Sequence, residues 1–252
     1  PPRGVGSDID TAFVFAAGKG TRMREYVRDV PKPLVSVGGK PTLAYFIAQA
    51  EAAGMTRLFF NTHYLPHRVN EFAALYQNRF EIHTLYEETL LETGGGLKQA
   101  LPLVNRDVFF AMNGDALLEE GPGLTMLDRL ALAFDPDRMD ILLLLSKTTG
   151  PSVTKSVGDY TMDATGRLTR SLDLSGGYMF AGLRLLHARV FDGVSDGIFS
   201  FRDQMDAAQA KGRLYGLAHT GLYHHISTPE DMKAVTEYMT HRQSAPKILN
   251  AG

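Results

Sequence analysis

The sequence predicts an α/β protein built on a doubly wound, mostly parallel sheet with a small antiparallel extension, and three observations carry that expectation. Compact apolar runs alternate with segments of helical apolar spacing through the first half of the chain, the order in which parallel strands and crossover helices follow one another. Two of the apolar runs lead directly into loops, one glycine-rich and one Asn-Gly-Asp, and in such sheets ligands gather beyond the carboxyl ends of the strands. The second half is less regular and contains a hairpin pattern, the source of the extension.

Residues 11–16 are apolar and compact and predict a buried strand that runs into the glycine loop at Gly18. Helical spacing over 42–53 stops at Gly54, a C-terminal signal. A strand at 57–61, a helix at 66–76 and an alternating strand at 81–86 follow. Residues 94–101 predict a short helix with a glycine-rich entry, and 108–112 a buried strand leading into Asn113-Gly114-Asp115. A helix at 124–133 and a buried strand at 140–145 complete the alternating part. Residues 149–158 are rich in Ser, Thr, Gly and Pro and predict a mobile loop, while 159–170 predict a hairpin turning at Ala164-Thr165-Gly166. Next come a strand at 178–186, a helix at 201–211 and a strand at 214–217. Thr228 suits the N-cap of a last helix, Pro229 its first position, and Glu230 and Asp231 its positive end. No repeat or linker calls for a second domain, so the expectation is one domain over 11–239 with tails at 1–10 and 240–252.

With 252 residues, 44% of them hydrophobic, the chain can bury a substantial core. A net charge of −2 argues against a general nucleic-acid binder, which carries a basic excess. The local balance differs: Lys19, Arg22, Arg24, Arg28 and Lys32 face only Glu25 and Asp29 in one short stretch. The absence of cysteine excludes disulfides and cysteine-ligated zinc, and fits a cytoplasmic location. Residues 1–10 lack the apolar core of a signal peptide, and the longest aliphatic run, 141–145, is too short to cross a bilayer. Neither a nucleic acid nor a membrane is therefore expected as a partner.

Glycines at 18 and 20 let the backbone turn tightly, and amides freed in such a turn form an anion-binding nest. Arg22 adds a forked cation suited to phosphate oxygens and Lys32 a point charge. Taken alone, Gly18-Lys19-Gly20 also reads as a solvated basic loop. It is not the dinucleotide fingerprint, because Met23 stands at the third glycine's place, and Gly39-Lys40 is followed by Pro41 where a Walker A loop needs Ser or Thr.

The longer pattern is more specific. Phe15-Ala16-Ala17-Gly18-Lys19-Gly20-Thr21-Arg22-Met23, then Pro31-Lys32-Pro33-Leu34-Val35, then Gly38-Gly39-Lys40-Pro41 resembles the N-terminal signature of the sugar-1-phosphate nucleotidyltransferase superfamily. Leu91-Glu92-Thr93-Gly94-Gly95-Gly96, Asn113-Gly114-Asp115, Phe180-Ala181-Gly182-Leu183 and Thr228-Pro229-Glu230 extend the resemblance over about residues 11–239. Within the superfamily, the pattern looks most like the uridylyltransferases that act on N-acetylmuramate-1-phosphate, and mannose-1-phosphate guanylyltransferases share much of it.

The resemblance implies a Rossmann-like nucleotidyltransferase fold whose antiparallel extension binds the sugar. It implies a nucleoside triphosphate and a sugar-1-phosphate as substrates, Mg²⁺ as cofactor, and a monomer or small homo-oligomer. Arg22, Lys32 and Asp115 take the catalytic roles. Ala17, Gly18, Lys19, Gly20, Thr21 and Arg22, with Glu92, Thr93 and Gly94, take the nucleotide; Gly95, Asn113 and Gly182 take the sugar. Asp115 takes the metal.

Three departures stand out. His225 occupies the place of a second metal-binding aspartate, and histidine suits Mn²⁺ or another softer divalent ion better than Mg²⁺. It binds such a metal, or bonds a phosphate while Asp115 alone holds Mg²⁺, or marks a weakened site. Glu25-Tyr26-Val27 replaces a Pro-Leu-Thr common in relatives, and the stretch 171–177 lacks their Glu-Lys-Pro run. These departures leave open a paralogue that binds nucleotide-sugar with little turnover.

Overall fold

The computed structural model describes residues 9–244, and for Arg24, Glu25, Gln243 and Ser244 the backbone alone. Of the expected tails, residues 1–8 and 245–252 lie outside the described residues, as does any pairing of the Glu25 side chain.

Strand β1 (Thr11–Phe15) leads through the glycine loop into a 3₁₀ helix (Thr21–Val27) and a 3₁₀ turn (Lys32–Leu34). A two-residue hairpin follows, β2 (Ser36–Val37) with β3 (Lys40–Pro41). The alternating part is α1 (Thr42–Ala52), β4 (Arg57–Thr62), α2 (Pro66–Ala74), β5 (Glu81–Tyr86), α3 (Glu92–Val104) and β6 (Val108–Asn113). Then come β7 (Ala116–Glu119), α4 (Met126–Ala133), β8 (Ile141–Lys147), β9 (Tyr160–Met162), β10 (Leu168–Arg170) and β11 (Tyr178–His187). A 3₁₀ turn (Ala188–Phe191), α5 (Arg202–Ala210), β12 (Leu214–Ala218), β13 (Leu222–His225) and α6 (Pro229–Ser244) complete the order.

The main sheet runs β5-β4-β1-β6-β11-β8-β12. β1 is parallel to β4 and β6, β4 to β5, and β8 to β12. Only β11 opposes its neighbours in this series, lying antiparallel to both β6 and β8. The sheet is thus mostly parallel, as expected. The β9–β10 hairpin joins the start of β11 through Tyr178 and Tyr160, and β7 pairs with β13 as a separate ribbon.

The central strands read as near-continuous apolar runs because both faces are covered. Successive residues point to opposite faces. Ala12 and Val14 of β1 join Phe46, Ile47 and Phe60 in one core, while Phe13 joins Phe59, Leu97 and Phe109 in the other. From β1 the chain moves to β4 and β5 on one side, then returns to place β6 on the other. The crevice between the carboxyl ends of β1 and β6 is the switch point at which doubly wound sheets bind ligands.

Several local expectations are met. Gly54, at φ +76°, ends α1. Met162 pairs with Leu168 in the hairpin, whose turn is held by Asp163 Oδ1 accepting from the amides of Thr165 and Arg167. Thr228 caps α6 by accepting from the Asp231 amide at 3.2 Å, and Asp231 accepts in return from the Thr228 amide at 2.9 Å, a capping box. Other expectations change. α3 begins at Glu92 and extends to Val104, with Pro102 inside, longer than the expected 94–101. Its three glycines are poor helix formers but are buried, and their missing side chains let α3 lie close to neighbouring segments. β7 and β13 were not expected; each is four residues long and is stabilised by its distant partner. The expected mobile loop at 149–158 has no regular structure, and Thr154 Oγ1 within it accepts from the His225 amide. No helix among the described residues is long and apolar enough to cross a membrane.

Candidate active site

A cleft of about 480 Å³ opens at the switch point. Ala17, Gly18, Gly20, Thr21 and Arg22 form one wall, with Lys32 behind them. Glu92 and Thr93, from the start of α3, also line the cleft, as do Asn113 and Asp115 from the end of β6. Ten of the residues expected at a site, far apart in sequence, are therefore brought together. Lys19 is exposed and does not line the cleft. Gly94, Gly95, Gly182 and His225 also lie outside its lining.

The wall built by the glycine loop is polar because of its backbone. The amides of Ala17, Gly18, Lys19 and Gly20 have no hydrogen-bond partner among the described residues. Gly20 sits at φ +60°, and a Cβ there would stand 2.9 Å from Lys32 Cβ, so glycine lets the lysine stem pass behind the loop. Side chains fix the loop from below. Asn61 Oδ1 accepts from the Ala16 amide at 2.7 Å, and Asn61 Nδ2 donates to Glu87 Oε1 at 2.7 Å. Glu87 Oε2 accepts from the Leu91 amide at 2.9 Å, just before α3. This buried chain ties the glycine loop to the Glu92 wall.

Thr93 Oγ1 accepts from the Phe201 amide, and the amides of Gly94 and Gly95 both donate to the Phe199 carbonyl. Gly94 and Gly95 thus use their freed amides against protein, and a Cβ on either would collide with residues 197–199. Their geometry is that of close packing behind the wall. Glu92 itself sits at φ +59°, a strained conformation for a side-chain-bearing residue at the cleft edge.

Lys32 Nζ donates to Asp115 Oδ2 at 2.5 Å, with side-chain exposures of 12% and 39%. The pair joins the cation-rich wall to the carboxyl end of β6. His225 is half-buried, and its Nδ1 lies 3.1 Å from the Tyr223 hydroxyl. Burial pushes its imidazole below the ordinary value of 6.5; the Asp115 charge opposes this, and the Lys32 and Arg22 charges add to it. Among the described residues no three His, Asp or Glu side chains converge as metal ligands. The donor set that remains, one carboxylate lining the cleft, fits Mg²⁺, which keeps waters and draws further oxygens from substrate phosphates. It does not fit a metal caged by protein.

Asn113 lies beside Phe15 in the β1–β6 register, and Asn61 flanks Phe15 on the other side. Asn113 Oδ1 accepts from Arg184 Nη2 at 2.5 Å. Arg184 is only 2% exposed, and its guanidinium lies 4.8–5.0 Å from the ring centres of Phe15, Phe180 and Phe201. Burial lowers the guanidinium to about 9, so it remains a cation at neutral pH. Gly182, at φ +82°, forms the bulge of β11, and a Cβ there would stand 2.8 Å from Ala116 Cβ and 3.4 Å from Asn113 Cβ. It therefore backs Asn113 rather than facing the cleft.

The sequence reading did not single out Asn61, Glu87, Arg184 or Ser200. Asn61 carried a usable signal, since it ends an apolar strand as Asn113 does. Arg184 sits within an aliphatic run, a second signal that a polar partner was needed.

A family profile described as the MobA-like NTP transferase domain matches residues 12–157. Over 225 residues the chain is 32% identical to an N-acetylmuramate alpha-1-phosphate uridylyltransferase of Caulobacter vibrioides, covering 87% of this chain and 92% of that protein. It is 27% identical over 221 residues to the enzyme of the same name from Neisseria meningitidis, covering 86% and 93%. Among solved structures, the inositol-1-phosphate CTP transferase of T. maritima superposes with a TM-score of 0.75 at 19% identity, covering 95% and 98%, and so shares the fold. The nucleotide-sized cleft at the switch point and these similarities agree: the chain belongs to the MobA-like NTP transferase family and is a nucleotidyltransferase.

Proposed function

We propose that this cleft transfers UMP from UTP to N-acetylmuramate-1-phosphate and releases pyrophosphate. The observation that carries the reading is the convergence of the free-amide glycine loop, Arg22 and the Lys32–Asp115 pair on one cleft. The choice of base and sugar rests on the similarity to the two uridylyltransferases.

A phosphate oxygen of the sugar attacks the α-phosphorus of UTP; the new P–O bond forms as the bond to pyrophosphate breaks. The attacking oxygen is already anionic, so no base has to remove a proton. The barrier is repulsion between two polyanions brought out of water, and catalysis comes from alignment and charge neutralisation. The amides of Gly18, Gly20 and Thr21 cradle phosphate oxygens, and Arg22 grips the β- and γ-phosphates. Lys32 reaches the α-phosphate and the incoming sugar phosphate. Asp115 would hold Mg²⁺, which, when bound, neutralises phosphate charge. Asn113 faces the sugar, and Glu92 and Thr93 border the base and ribose. His225 stays neutral at pH 7 and bonds a phosphate oxygen rather than serving as a metal ligand.

The test is pyrophosphate release across four nucleoside triphosphates and a set of sugar-1-phosphates, run in parallel with Mg²⁺ and Mn²⁺. The expected result is a clear preference for UTP with N-acetylmuramate-1-phosphate. A preference for GTP with mannose-1-phosphate would overturn the substrate assignment, and no release in any combination would overturn the activity.

A further inference from the structure

We propose that Arg184 is a positioning residue that turns the Asn113 amide so that Nδ2 faces the cleft and donates to an acceptor oxygen of the sugar phosphate. The inference rests on the sugar-phosphate reading above and adds the residue that sets the polarity of one contact.

The argument begins with what a guanidinium can do. It has donors only, so the Asn113 atom beside Arg184 Nη2 must be the oxygen. The amide is planar, so fixing Oδ1 also fixes Nδ2. Nδ2 has no protein partner among the described residues, while Asn113 lines the cleft. Gly182 lies beside the same amide and leaves it uncrowded, since even a Cβ at that position would stand 3.6 Å from Nδ2. A donor is thus presented in one orientation.

The fold keeps Arg184 under unfavourable conditions. The side chain is almost fully buried, its Nε has no partner, and no carboxylate pairs with it among the described residues. Three aromatic faces offset part of the cost through the attraction between cation and ring. A buried cation so held is weak as a stabilising device, because apolar side chains of similar volume often serve better. It is effective as an orienting device. A charged donor on Oδ1 also polarises the amide and strengthens its N–H groups as donors. The group recognised is therefore an oxygen with free lone pairs, a hydroxyl, carbonyl or carboxylate oxygen on the sugar.

Two variants test this. Asn113→Asp keeps the shape, gives Arg184 a counter-ion and replaces the donor with an acceptor. It is expected to hold or raise the melting temperature, to raise the KM for the sugar phosphate about tenfold or more, and to leave the KM for UTP unchanged. Arg184→Met keeps bulk among the rings and frees the amide to rotate; it is expected to raise the same KM by a smaller factor. The double variant is expected to be no worse than Asn113→Asp alone. A folded Asn113→Asp protein with wild-type KM for the sugar phosphate overturns the proposal, and so do effects that multiply in the double variant. If the wild type releases no pyrophosphate, the proposed function falls separately. Calorimetric titration with N-acetylmuramate-1-phosphate then decides: weaker binding by Asn113→Asp supports the orientation, and equal or absent binding overturns it.

Discussion

Substituting Gly96 by alanine tests whether the Asn61–Glu87 chain holds the site together. Gly96 lies in the second turn of α3, where helix propensity alone favours alanine by about 1 kcal/mol. Its surroundings predict the opposite sign. A Cβ at this position would stand 2.4 Å from Glu87 Oε1 and 2.8 Å from Asn61 Nδ2. Glu87 is 1% exposed, so its carboxyl group has no route into solvent. The collision breaks the bond from Asn61 and, by turning the carboxyl group, the bond from the Leu91 amide. Leaving buried partners unpaired costs about 1–3 kcal/mol each, and after the helix gain the net loss is about 1–5 kcal/mol. Ala16 and Leu91 immediately precede the cleft-lining residues Ala17 and Glu92, so kcat/KM is expected to fall about tenfold to a hundredfold as the phosphates lose alignment. Denaturant unfolding gives the first quantity and pyrophosphate release the second. An increase in stability of about 1 kcal/mol with unchanged kcat/KM would show that helix propensity dominates and that the chain plays no part in ordering the cleft.

Arg22→Ala is expected to lower kcat/KM for pyrophosphate release at least about a hundredfold, while unfolding stability changes by less than about 0.5 kcal/mol, because the residue is exposed and has no partner among the described residues. Near-wild-type activity would remove Arg22 from the phosphate site. His225→Asp removes the imidazole's bond to phosphate and puts a like charge in its place, so it is expected to lower kcat/KM even at saturating Mg²⁺; a gain in rate with a lower Mg²⁺ requirement would instead make position 225 a weakened metal ligand. Burial holds His187, His219 and His225 below the ordinary value of 6.5, so the unfolded chain binds more protons than the folded one just below that pH. Their contribution to stability is fully present above 6.5 and is lost as pH falls through the interval beneath it. Denaturant midpoints measured across that interval are expected to decline less steeply for His219→Gln than for wild type, and identical slopes would contradict the assignment.

The parts of the fold that were legible in the sequence depend on neighbours along the chain. β1, β4 and β6 are buried on both faces, so their residues form apolar runs that need no partner to be recognised. The Thr228 cap and the Gly54 stop are likewise local. β7 and β13 were missed for the converse reason. Leu222 pairs with Glu119 and His225 with Ala116, so each strand exists only where the other has been delivered from about a hundred residues away. The length of α3 was missed because glycine weakens a helix by itself, and the compensation comes from packing against Phe199 and Glu87.

The same division runs through the site. The glycine loop, Lys32 and Asp115 were legible because backbone freedom and charge after a strand end are properties of short segments. Their convergence also followed, since β1 and β6 are adjacent and both loops leave the same edge of the sheet. What sequence spacing does not encode is how the cleft residues are held in place. The distance from Asn61 to Glu87 in the chain is 26 residues, and that from Asn113 to Arg184 is 71. Neither separation has a period. Composition still left a trace: an arginine inside Leu183-Arg184-Leu185-Leu186 contradicts its apolar neighbours, and a buried cation must be held by something. In this chain that something is an asparagine at the cleft floor together with three aromatic rings. The residue that most disturbs the strand's apolar pattern is therefore the one whose partner lines the cleft.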